Sequence, residues 1–395
     1  MLTTNKFSMK KKLKLAFCLF KYFPFGGLQV NFINIAKECM ARGHKIVAYT
    51  ISWEGEKPEG LDIRILPVSG MTNHARYKSF TKLVHRHTQG KRYDALVGFN
   101  KMPGLDVCYI ADVSYAAKMK GRSKFHRYTG RYRTLMQMEW AVFDKKSRTE
   151  ILLLTEKEKN FYMNYYETAD KRFHLMPPGI SRKCLPPPDA DKIRMEKRKE
   201  LLIGQGQTIV LMVCTNFKIK GVARAIRALS ALPSEISQKT VLLIAGKDNS
   251  RYYRRLAKQT NVLKQVRFIG ARSDVPQLLM ASDFLIHPAS IENTGTVIVE
   301  ALAANVPVIT TDICGYSFHV TRADGGLVIG SPFNQKELDR ALLFMLTSNR
   351  RNKWRANCKN YIEQTDVFSR AQKASDIIEK ATYNLLFIDL PHRSG

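Results

Sequence analysis

Apolar and polar positions fall into two alternating patterns from the start of the chain. Positions 13–20 (LKLAFCLF) and 45–51 (KIVAYTI) are short apolar runs rich in branched and aromatic residues, and they predict strands. Positions 28–42 between them read as a helix, ended by Gly43. Strand, helix and strand in that order form a βαβ unit, which implies a parallel sheet. Further strands are expected at 63–67, 95–98, 107–111, 150–154 and 173–176.

The rhythm then breaks. Positions 177–192 (PPGISRKCLPPPDADK) carry five prolines and read as a linker into a charged helix at 192–202. Beyond it the alternation restarts. Strands are predicted at 208–214, 240–246, 265–269, 284–287 and 308–311, with helices from Val222, up to Gln259 and at 275–281. Residues from about 375 to 395 read as a helix that packs back on the first half. Two Rossmann-like halves of this kind make a doubly wound α/β fold, with ligand at the C-terminal ends of the strands. The expected domains are 1–180, joined by the C-terminal helix, and 181–374.

A chain of 395 residues is large for one core, consistent with two domains. The net charge of +30 calls for an acidic partner: nucleic acid, anionic lipid or a phosphorylated glycan. Seven scattered cysteines without a C-x-x-C pair argue against a disulfide framework or a zinc site, and for a reducing compartment. The N-terminal apolar run is too short, and too interrupted by Lys14, for a signal peptide. No run of about 20 apolar residues exists to span a membrane.

Chemistry concentrates in HPASIENTGTVIVEALAANVPVITT. Glu292 and Glu300 stand eight positions apart across the opening of a predicted helix, with Gly295 and Thr296 between them. A helix N-terminus attracts phosphate, and carboxylates accept from sugar hydroxyls, so the pattern fits a sugar nucleotide. On a single helix the two glutamates would lie about 12 Å apart along the axis. Glycosidase pairs lie about 5–9.5 Å apart. Binding carboxylates therefore fit better than a hydrolytic pair, although a capping acid plus an outward glutamate is the bland alternative. Gly26-Gly27 follows the first strand and lacks the G-x-G-x-x-G dinucleotide pattern. Lys220-Gly221 follows the strand that opens the second half, where a lysine can face a phosphate. Asp189-Ala190-Asp191 is a D-x-D in the linker, read as a turn or helix cap. Positions 118–133 (KMKGRSKFHRYTGRYR) hold Lys118, Lys120, Arg122, Lys124, Arg127, Arg131 and Arg133, no acid, and interleaved Phe125, Tyr128 and Tyr132. That suits an anionic membrane interface or nucleic acid.

The stretches AFCLFKYFPFGGLQ, SWEG, VGFNKMPGLDV, LMPPGI, the E-x7-E of Glu292 and Glu300, and TTDICGY together resemble the lipopolysaccharide core α-1,3-glucosyltransferases of glycosyltransferase family four, from about residue 13 to about residue 380. The resemblance implies a GT-B fold, two Rossmann-like domains facing across a cleft, with the acceptor on the first and the nucleotide sugar on the second. It implies retaining transfer of glucose from UDP-glucose to a heptose of the inner core, without metal or other cofactor. Gly26 and Gly27 would lie against the donor. Arg182 and Lys220 would bind its phosphates. Glu292 would hold the glucose hydroxyls and Glu300 the ribose, and Gly295 and Thr296 would offer N–H groups to the diphosphate. Asp112 would stand near the acceptor hydroxyl. The basic segment would lie on the anionic inner face of the cytoplasmic membrane, making the protein cytoplasmic and peripheral, with no nucleic-acid partner.

Departures from the family pattern are Ile219 in place of an arginine before Lys220 (with Lys218 as a substitute), Cys214 in place of a glycine, Asn31 in place of an acid, and Asn305 in place of a glycine. These leave the donor sugar open to another UDP-sugar such as UDP-galactose or UDP-N-acetylglucosamine. A non-enzymatic binder of nucleic acid or anionic lipid is the alternative from another class.

Overall fold

The computed structural model describes residues 11–24, 26–90, 93–120 and 123–388. Strand β1 (Lys14–Tyr22) is buried without a break from Leu15 to Phe20. Apolar side chains that point alternately up and down a strand can all be buried only if both faces are covered, which is the setting of a central parallel strand. Helices supply the cover. The helix Gly27–Ala41 returns the chain to β2 (Lys45–Trp53), and Phe17 lies in register between Ala48 and Val97 of its two neighbours. The remaining strands of this sheet are β3 (Asp62–Ile65), β4 (Ala95–Gly98), β5 (Val107–Ile110), β6 (Glu150–Leu153) and β7 (Phe173–Leu175). They assemble all parallel in the order β3-β2-β1-β4-β5-β6-β7.

The second sheet contains β8 (Thr208–Val213), β9 (Thr240–Ala245), β10 (Val266–Gly270), β11 (Phe284–His287), β12 (Val308–Thr311) and β13 (Gly326–Ile329). Its order is β10-β9-β8-β11-β12-β13, again all parallel. Both sheets thus reverse direction of growth beside their first strand, at β1/β4 and at β8/β11. That switch point leaves a crevice at the strand C-terminal ends, where doubly wound folds bind ligands.

Two compact units result: residues 1–176 with 369–395, and residues 177–368. These divisions fall a few residues before the expected 180/181 and 374/375. Ile180 and Cys184 belong to the second unit's core, and the Ile180 N–H donates to the Val367 carbonyl at 3.0 Å. The C-terminal helix begins earlier than expected and spans Arg370–Ile388. Its Ala374 and Ile378 pack in one cluster with Phe17, Phe32 and Ile35 of the first unit. Arg42 donates to Asp376 (2.6 Å) and Glu379 (3.1 Å), and the His44 ring lies 3.1 Å from Glu379. The periodicity reading missed β13 and the helices Asn73–Thr88, Gly130–Phe143, Glu156–Tyr166, Gln335–Thr347 and Arg351–Gln364. No helix among the described residues is long and apolar enough to cross a membrane.

Candidate active site

After β8 the chain must turn sharply to start its helix under the sheet. Asn216 takes a left-handed conformation (φ 58°), the short turn Phe217–Lys220 follows, and Gly221 is left-handed again (φ 83°) before the helix Val222–Ser230. A Cβ on Gly221 would sit 2.1 Å from the Pro288 carbonyl oxygen, so only glycine fits. The turn is stapled to the loop after β11: the Ser290 N–H and hydroxyl both donate to the Ile219 carbonyl (2.8 and 3.1 Å), and Arg224 donates to the carbonyls of Pro288 and Ala289 (3.1 and 3.0 Å). Ile219 therefore works through its backbone. Lys218 is exposed, two residues from Lys220 and so on another side of the turn.

Stapling the two loops brings Lys220 and Glu292 together. The Lys220 ammonium donates to Glu292 Oε2, and His287 Nε2 lies 3.1 Å from the same oxygen. His287 is the last residue of β11 and is buried, with the Cys314 thiol beside it in the loop after β12. Burial opposes protonation of His287, but the Cys314 sulfur and the Glu292 carboxylate outweigh it and raise its pKa to about 9. Burial likewise opposes ionisation of Glu292, yet His287 and Lys220 hold it down at about 2. Lys220 and His287 thus both favour the ionised form of Glu292.

Glu300 is placed differently. It lies within the helix Thr296–Ala303, whereas Glu292 lies in the loop ahead of it, so the two do not share one helix. Gly295 and Thr296 form the helix start, whose first N–H groups have no partners within the helix. The Thr294 carbonyl accepts from the Tyr316 N–H (2.8 Å), which ties this loop to the TTDICGY turn. Burial pushes Glu300 up to about 7. The turn Arg182–Cys184 packs on the same helix, but the Arg182 guanidinium lies exposed over the Phe368 ring at 4.5 Å, outside the Lys220–Glu292 cluster. Asn305, in place of the family glycine, is left-handed (φ 57°).

In the first unit Gly26 caps the helix Gly27–Ala41. A Cβ on Gly26 would meet the Gln29 side chain at 2.0 Å, and that side chain is committed to the Lys21 carbonyl (2.9 Å). Gly27 differs: a Cβ there meets nothing within 4 Å, so nothing within the chain itself demands glycine. Asn31 donates to the Gly27 carbonyl (2.7 Å) and accepts from Arg370 (2.9 Å), a neutral role for the position where the family has an acid. Asp112 is exposed in the loop after β5. The residues that follow it are clamped by Glu139, which is fully buried and accepts from Ser114 Oγ (2.7 Å), the Tyr115 and Ala116 N–H groups (2.7 and 3.0 Å), the Tyr166 hydroxyl (2.8 Å) and Lys101 (2.5 Å). Of the GFNK residues, Asn100 accepts from the Phe20 N–H (2.8 Å), and Lys101 reaches Glu139. Beyond the clamp, Lys118, Lys120, Arg127, Arg131 and Arg133 are exposed, as are Phe125 and Tyr128 at 82% and 77%. Arg122 and the side chain of Lys124 lie outside the described residues.

His287, Cys314 and Glu139 were not singled out as site residues in the sequence. The one available signal was position: His287 ends a predicted strand, five residues ahead of Glu292.

Comparison with known proteins gives this geometry its class. Residues 193–365 match the family "Glycosyl transferases group 1". The lipopolysaccharide glucosyltransferase WaaG of Escherichia coli is 40% identical over 369 residues, covering 92% of this chain and 98% of that one. The crystal structure of WaaG superposes with a TM-score of 0.87 at 39% identity, over 92% of this chain and 99% of that chain. Anabaena HepE, solved with UDP and glucose, shares the fold (TM-score 0.74, 15% identity, 93% and 100% covered). Two doubly wound parallel units of this kind are the GT-B fold, and the molecule is a glycosyltransferase. The chain belongs to the group 1 glycosyltransferases, in the same family as WaaG.

Proposed function

We propose that this enzyme transfers glucose from UDP-glucose to a heptose of the lipopolysaccharide inner core with retention of configuration. The observation that carries the reading is the Lys220–Glu292–His287 cluster at the β8/β11 switch point, beside the start of the helix Thr296–Ala303. An ionised carboxylate there can accept from sugar hydroxyls, and a lysine and free helix N–H groups beside it can take the diphosphate. The relation to WaaG supports glucose as the sugar and lipopolysaccharide as the acceptor class.

In the proposed reaction the bond from the glucose anomeric carbon to UDP breaks, and the acceptor oxygen bonds to the same face of that carbon. The acceptor proton passes to the departing phosphate oxygen. Lys220, Arg182, Gly295 and Thr296 stabilise the charge that develops on UDP. Glu292 orients the glucose, Glu300 holds the ribose, Gly26 and Gly27 leave room for the donor, and Asp112 orients the acceptor hydroxyl. The donor half is the second unit and the acceptor half the first. No metal or other cofactor takes part. The exposed basic and aromatic residues of 118–133 hold the protein on an anionic membrane surface, at the cytoplasmic face, where the acceptor is made.

Donor screening by UDP release, with and without a heptose-terminated core acceptor, tests the reading. UDP-glucose with the acceptor should give the fastest release. Preference for UDP-galactose or UDP-N-acetylglucosamine would replace the donor assignment. Full activity of both Glu292→Ala and Lys220→Ala would sink the site.

A further inference from the structure

Glu292 uses only one of its two oxygens. Lys220 and His287 both bond Oε2, and among the described residues nothing bonds Oε1. A carboxylate with two cations crowded on one oxygen and the other oxygen open is held, not saturated. The two cations also differ in freedom. Lys220 is a long, half-buried side chain on the turn Phe217–Lys220. His287 is 2% exposed, and its backbone is fixed by pairing with Thr310, whose hydroxyl donates to the His287 carbonyl at 3.1 Å. The other ring nitrogen, Nδ1, is buried with no nitrogen or oxygen partner among the described residues, and the Cys314 thiol lies beside the ring. Its oxygen partner is Glu292, at 3.1 Å from Nε2.

We propose that His287 is the positioning residue of the donor site: it keeps Glu292 Oε2 anchored, so that Oε1 faces the sugar while Lys220 leaves for the diphosphate. This rests on the nucleotide-sugar reading above. Lys220 cannot fully serve Glu292 and a diphosphate at once, and an incoming donor carries more negative charge than one carboxylate. When Lys220 turns to the phosphates, Glu292 loses one of its two anchors. His287 remains, and the carboxylate stays ionised and aimed. Without His287, Glu292 would rotate or follow the lysine, and the sugar would lose its partner just as the donor binds.

The two amide side chains separate this role from a packing role. Glutamine carries its amide nitrogen near the position of Nε2 and can still donate to Oε2. Asparagine is polar as well but ends near Nδ1 and cannot reach. We would measure kcat and KM for UDP-glucose, and Kd for UDP by calorimetry, on wild type, His287→Gln and His287→Asn. Losing a charge-assisted bond that acts on the sugar should lower kcat about 30-fold in His287→Asn, with UDP affinity within about threefold of wild type. His287→Gln should recover most of that kcat. Equal kcat in the two variants, or a loss of UDP affinity that matches the loss of kcat, overturns the positioning role. Wild-type enzyme that releases no UDP from UDP-glucose overturns the donor assignment, and it does so before any variant is compared.

Discussion

The Lys101–Glu139 pair of the first unit and the Lys220–Glu292 pair of the second are chemically the same contact, a lysine ammonium on a largely buried carboxylate. Their surroundings differ. Glu139 spreads five donors over both oxygens, with Ser114, Ala116 and Tyr166 on Oε1 and Lys101 and Tyr115 on Oε2. Burial opposes its ionisation, but Lys101 and the backbone N–H groups outweigh that and hold it below the usual carboxylate range. Glu292 has two donors, both on Oε2. A saturated carboxylate locks the loop that wraps it. A carboxylate with one oxygen open is set to take a ligand. The number and direction of donors, more than the identity of the pair, distinguishes the structural ion pair from the one proposed to bind donor.

The largest effect should come from breaking the saturated pair. Glu139→Ala strands a half-buried lysine, two N–H groups and two hydroxyls, and should cost about 3–5 kcal/mol of stability. Chemical denaturation would read it as a lowered midpoint. Stability close to wild type would mean that the two pairs do not differ as described. Glu292→Gln should do the opposite. Transfer should fall about 10²–10³-fold, and the unfolding midpoint should move far less than in Glu139→Ala.

A smaller effect is expected at Glu300, which has no cation on it. Burial raises its pKa to about 7, so the folded protein holds this proton longer than the unfolded chain, whose carboxyl titrates near 4.5. The unfolded state therefore binds fewer protons between those values. Stability should decline as pH rises from about 4.5 to 7, and the penalty should persist above that. Glu300→Gln should melt higher than wild type at pH 8 and match it near pH 4. If the ionised form holds the ribose, wild-type affinity for UDP should rise as pH passes through 7, and the variant should show no such rise. A flat wild-type titration would remove Glu300 from the donor site.

The smallest effect concerns the surface that the Glu139 clamp carries. Replacing Lys118, Lys120, Arg122 and Lys124 with glutamate should weaken sedimentation with anionic vesicles, each cation contributing about 1 kcal/mol near such a surface. UDP release without vesicles should be unchanged. Unaltered vesicle binding would assign the charge another use.

The alternation of apolar runs was enough to place most of the strands, because strands buried on both faces, such as Leu15 to Phe20 in β1, leave a continuous apolar trace. β13 left only a short one: Leu327–Ile329 follows Asp324, Gly325 and Gly326, and its residues are only partly covered apart from Ile329. The helix Gly130–Phe143 was hidden by the basic run that enters it, and Glu139 within it looked like an ordinary helical glutamate. Its five donors come from elsewhere in the chain, and no local spacing reveals that. Glu292 and Lys220 were visible because each stands next to a glycine turn between a predicted strand and a predicted helix. His287 was not, since its meaning comes from being a strand's last residue, buried against a loop that follows the next strand.

The hydrogen bond between Ile180 and Val367 has a consequence for how the chain can be rebuilt. It holds the two ends of the second unit side by side, while the first unit is completed only when the chain returns as the helix Arg370–Ile388. The second unit is thus an insert with adjoining ends, and the first unit is its host. An insert of this form can be exchanged whole, so a new donor preference could be grafted by replacing residues 177–368 with a relative's segment, without recutting the host. Truncation after Phe368 should destabilise the first unit for the same reason, since it keeps the insert and removes Ala374 and Ile378 from the host's core.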